Sequence, residues 1–68
     1  VKHVYYVIYE MWKEGKCLGK GCCEIWTNKE PKSMKDIQNM EQSVRDDHGF
    51  PQEFEVLILS WTFLRNDI

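Results

Sequence analysis

The chain has 68 residues, 43% of them hydrophobic and 29% charged, with a formal net charge of −2. That length excludes a second core, and that composition excludes a disordered segment, so one small domain spanning residues 1–68 is expected; such a domain buries only about 60% of the surface its unfolded chain exposes. No apolar run reaches the roughly 20 residues that cross a bilayer, and no secretory-signal pattern is visible, so no membrane role and a cytoplasmic location are expected.

Residues 3–12 (His-Val-Tyr-Tyr-Val-Ile-Tyr-Glu-Met-Trp) are aromatic and β-branched, as strands prefer. Residues 13–20 hold two glycines and three lysines and read as a long hairpin turn. A second strand is expected over 21–28, its glycine start and lower apolar content suiting a sheet edge. Pro31 ends it. Ser33 followed by Asp36 reads as a capping-box variant opening a helix that runs to about Asp47, with Ile37, Met40 and Val44 on one stripe. Glu41 and Arg45 have the spacing of an i,i+4 ion pair. Gly49 reads as a left-handed stop, and Pro51 prevents continuation. A third strand is expected over 54–64, followed by a polar tail, 65–68.

The order β-β-α-β predicts an α+β fold: a three-stranded antiparallel sheet, strand order 2-1-3, with the helix packed on one face. The third strand is apolar on both faces. Strict alternation puts Leu57, Leu59, Trp61 and Phe63 on one side and Phe54, Val56, Ile58 and Leu64 on the other. One helix covers one face, so an uncovered apolar patch of several hundred Å² is expected, which points to an interaction surface.

Chemistry-bearing residues are sparse. Cys17, Cys22 and Cys23 are an odd number, and adjacent residues on a strand point to opposite faces; reduced thiols and no metal are expected. His3 and His48 have no evident nucleophile or oriented carboxylate beside them, so no catalytic residues, no cofactor and no enzyme activity are expected. Charge is uneven. Residues 1–35 carry seven Lys against four Glu, and residues 36–68 two Arg against seven acids. Lys13, Lys16 and Lys20 beside Trp12 suggest single-strand nucleic-acid binding as an alternative, against which stand the net negative charge and a pI of about 5.6.

The aromatic opening Tyr5-Tyr6-Val7-Ile8-Tyr9, glycines 19 and 21, the segment Pro31-x-Ser33-x-x-Asp36-Ile37 and the ending Val56-Leu57-Ile58-Leu59-Ser60-Trp61 resemble very small phage and prophage accessory proteins, some of them similar in size and acidity to anti-CRISPR-type inhibitors of host defence. The resemblance implies a stoichiometric binder, and it transfers no site residues. The expected function is therefore a protein-binding module, an inhibitor or modulator acting by occlusion. Trp12, Trp26, Leu57, Leu59, Trp61 and Phe63 are its expected contact residues, and an acidic helix face of Asp36, Glu41, Asp46 and Asp47 is expected to meet a basic groove. Another protein is the expected partner, with homodimerisation also expected; a homodimeric accessory protein without further partner is a second alternative.

Overall fold

A computed structural model describes residues 1–67. The elements are β1 (Lys2–Lys13), β2 (Lys16–Thr27), α1 (Met34–His48) and β3 (Glu55–Asp67). They form a three-stranded antiparallel sheet in the order β2-β1-β3, as the sequence predicts. Among the described residues no helix is long and apolar enough to cross a membrane.

The hairpin is tighter than expected. Only Glu14 and Gly15 lie between β1 and β2, with φ of 51° and 78°. Two successive positive φ values are the signature of the two-residue turn whose twist matches that of the flanking strands. The glycines and lysines at 16–20 therefore belong to β2. β1 presents twelve residues, and each continued pair adds backbone hydrogen bonds that outweigh the poor strand preference of Gly19 and Gly21. Likewise Arg65, Asn66 and Asp67, expected in a polar tail, continue β3 opposite Lys2–Val4, and position 68 lies outside the described residues.

The helix begins and ends as expected. Ser33 Oγ accepts the Asp36 N–H at 3.2 Å, and Asp36 Oδ2 in return accepts the Lys32 N–H at 3.0 Å. Gly49 sits in the left-handed region, and the Gly49 and Phe50 N–H groups donate to the Asp46 and Arg45 carbonyls, which is the Schellman arrangement. α1 lies over the sheet face formed by Tyr5, Val7 and Tyr9. The core comprises these three with Ile25, Met40, Val44 and Val56, flanked by Met11, Cys23, Phe50 and Ile58.

Tyr9 fits because β2 has no side chain opposite it. Its cross-strand partner is Gly21, where an added Cβ would sit 2.5 Å from the Tyr9 hydroxyl. The His48 Nδ1–H donates to the Val44 carbonyl at 2.9 Å, which leaves Nε2 to accept from the Tyr9 hydroxyl, 3.4 Å away. His48 also stacks on Phe50, ring centroids 5.1 Å apart. The helix C-terminus is thus closed by an aromatic cluster.

Candidate interaction surface on the third strand

β3 is not a regular strand. Its pairing with β1 passes from Tyr9↔Ile58 to Ile8↔Ser60, and from Tyr5↔Phe63 to Val4↔Arg65. Leu59 and Leu64 are skipped. Each skipped residue is the extra residue of a β-bulge and reverses the in/out parity of the residues after it. Leu57, opposite Glu10, lies on the open face together with Ser60, Thr62 and Arg65; Trp61 and Phe63, opposite Val7 and Tyr5, lie on the helix side with Val56 and Ile58. The grouping of Leu57, Leu59, Trp61 and Phe63 on one face, expected from strict alternation, is therefore corrected. Phe63 meets Tyr5 edge-on on the helix side, centroids 5.7 Å apart.

The helix leans away from this stretch. Its N-terminal half borders the end of β2, where Asp36, Asn39 and Ser43 line a groove with Trp26 and Thr27, so it passes beside the outer half of β3 and not over it. α1 is fastened to the first part of β3 by two side chains: the Glu41 carboxylate accepts the Ile58 N–H at 3.2 Å, and Arg45 Nη2 donates to the Phe54 carbonyl at 3.0 Å. From Leu59 to Leu64 the strand has no such cover: Leu59, Trp61, Phe63 and Leu64 keep 47%, 37%, 50% and 43% of their surface in solvent, and Leu57, on the open face, keeps 43%.

The two sheet edges differ in chemistry. β2 presents Lys16 and Lys20 with Gly19 and Gly21, which is how edges are normally kept from pairing with other chains. From Val56 to Leu64, β3 carries no charge, no proline and no glycine.

The open face is partly closed by the chain itself. Val4 is fully buried there without help from the helix. Its neighbours across the strands are Trp26 and Arg65. The Trp26 indole N–H donates to Asp67 at 2.9 Å, and Arg65 pairs with Glu24 at 2.9 Å, so two β2–β3 contacts pass over β1 at this end. Trp12, half-buried, donates its indole N–H to Glu10 at 3.2 Å. Of the three tryptophans, Trp61 alone has an indole N–H with no protein acceptor among the described residues.

The four helix acids do not form one face. At 3.6 residues per turn Asp36, Asp46 and Asp47 fall within about 100° of one another, whereas Glu41 points about 120–140° away from each of them. Asp36 is taken up by the helix start: the Lys32 backbone N–H, then the Ser33 hydroxyl and the Lys29 ammonium, hold its carboxyl below the usual range. Glu41 serves β3. Asp46 accepts from the Gln42 side chain and is exposed, as is Asp47.

Two of the three hairpin lysines of the alternative reading are paired within the chain, Lys13 with Glu53 and Lys20 with Glu10; at the other end of β2, Lys29 pairs with Asp36. Cys22 faces the open side, whereas Cys23 faces the helix side, where burial, with Asp47 adding to it, pushes its thiol pKa up. An open groove of about 240 Å³ between the end of β2 and α1 is lined by Lys2, Trp26, Lys29, Asp36, Asn39 and Ser43; its charged groups already bond one another or Asn28.

No family model matches this chain, and no curated protein or solved structure is significantly similar to it. Its function is read from the site alone.

Proposed function

We propose that this chain is a protein-binding module acting by occlusion, with the outer half of β3 as its contact strip. The observation that carries this is the combination of an unprotected sheet edge with five large apolar side chains left between 37% and 50% exposed along it. Monomeric domains seldom leave such an edge bare, because unpaired N–H and C=O groups beside apolar side chains template pairing with another chain. Trp61, whose indole N–H has no acceptor among the described residues, is the anchor: an aromatic body with a polar handle is the residue type that dominates interface energies. A stoichiometric inhibitor of the kind the sequence resembles would work by covering a partner's surface in this way.

Photo-crosslinking tests the reading. A benzophenone side chain placed at position 61 captures a protein partner in cells, and the same group at position 18, exposed on the β2 edge, does not. Capture is lost when Phe63→Lys is added. Equal capture from 61 and 18 would remove the case for β3 as the contact strip.

A further inference from the structure

Resting on that reading, we infer that the partner of β3 is a second copy of this chain, paired antiparallel edge to edge about Thr62 to give a continuous six-stranded sheet. Three observations select this occupant. The first is the window that the fold leaves open. Glu41 and Arg45 bond the Ile58 N–H and the Phe54 carbonyl, so the helix blocks the first part of the strand. The bulges at Leu59 and Leu64 bracket a regular stretch, Ser60–Phe63, that has no such cover.

The second is that this stretch complements itself. A two-fold axis through Thr62 sets Thr62 against Thr62 of the second copy, Trp61 against its Phe63, and Phe63 against its Trp61. An isologous interface requires this reciprocity. Parity agrees with it, since Trp61 and Phe63 both lie on the helix side and Thr62 on the open side, so each pair meets on one face of the joined sheet. Aromatic–aromatic and Thr–Thr are among the favourable cross-strand pairs. The window also carries no charged side chain, so the pairing sets no like charges opposite one another. Pairing through the other edge would instead gather Lys16 and Lys20 of both copies.

The third is size. The five exposed side chains offer on the order of 400 Å² of apolar surface per copy. That is about half of the roughly 800 Å² per partner of a standard stable interface and in the size range of transient pairings, so the dimer dissociates on dilution.

Sedimentation of the full chain from roughly 1 to roughly 500 µM tests this. The expected result is a dimer that dissociates on dilution, weakened at least about tenfold by Trp61→Lys or Phe63→Lys and unchanged by Ile8→Lys on the open face. Hydrogen exchange on the unaltered chain needs no variant: amides within 60–64 slow as concentration rises, and those of 16–21 do not. A monomer throughout, or a dimer lost with Ile8→Lys but kept with Trp61→Lys, overturns the pairing. If the chain is monomeric and position 61 still captures a different protein, the second copy is wrong and β3 docking stands. If position 61 captures nothing, both fall.

Discussion

The Glu41 carboxylate accepts the backbone N–H of Ile58 at 3.2 Å, joining the middle of the helix to the residue that precedes the first bulge of β3. One turn later Arg45 bonds the Phe54 carbonyl. These two side chains have the spacing of a helix ion pair but both turn to the strand instead. Magnitudes explain the choice. An exposed i,i+4 pair is worth about 0.2–0.5 kcal/mol, whereas leaving a half-buried backbone group unbonded costs about 1–3 kcal/mol.

Glu41→Ala therefore lowers stability by about 1–3 kcal/mol, and Glu41→Gln, which keeps an acceptor oxygen, by less. In a domain of this size each kcal/mol moves Tm by about 4–8 °C, so thermal melts followed by circular dichroism resolve the two. Equal melting of Glu41→Ala and the unaltered chain would show that the contact carries no weight.

The two strand glycines of β2 differ sharply. Gly21→Ala drives a methyl into Tyr9 and destabilises by about 1–3 kcal/mol through overpacking. Gly19 has open space around its missing Cβ, so Gly19→Ala is neutral or slightly stabilising. Urea titrations of both variants give the comparison, and a Gly19 variant as damaged as the Gly21 one contradicts the packing account.

Glu14 holds a left-handed backbone with φ of 51°, a conformation that asparagine tolerates and glutamate does not favour. Glu14→Asn is expected to stabilise the hairpin by up to about 1 kcal/mol. A fall in the urea midpoint would mean that the Glu14 side chain has a role that the turn geometry does not reveal.

Asp36 makes the helix start sensitive to acid. Its folded-state pKa is lowered, first by the Lys32 N–H, so its stabilisation is fully present above the unfolded carboxyl pKa of about 3.9 and is lost as pH falls through the folded value. Asp36→Asn is thus less stable than the unaltered chain at neutral pH, and the gap closes in strong acid. A gap independent of pH, measured by denaturation across the acid range, would assign the effect to Asn itself rather than to lost charge.

Local chemistry in the sequence was enough for the element order, the strand order and both helix ends. Ser33 and Asp36 cap through neighbouring backbone groups, Gly49 needs only its own conformational freedom, and a helix between two strands of a small sheet has one favoured crossover. The same local view misplaces features set by particular partners distant in the chain. Lys16–Lys20 has turn-like composition, yet β1 draws it into a strand. Glu41 is recruited by a backbone group seventeen residues away. Above all, the faces of β3 are set by register with β1, and the skipped residues Leu59 and Leu64 leave no mark in an apolar run where every residue suits either side. Residue order alone requires that this small sheet carry more apolar strand than one helix can cover. Where the surplus lies is settled by packing, because the helix leans toward the end of β2 and leaves the outer half of β3, turned by two bulges, without cover.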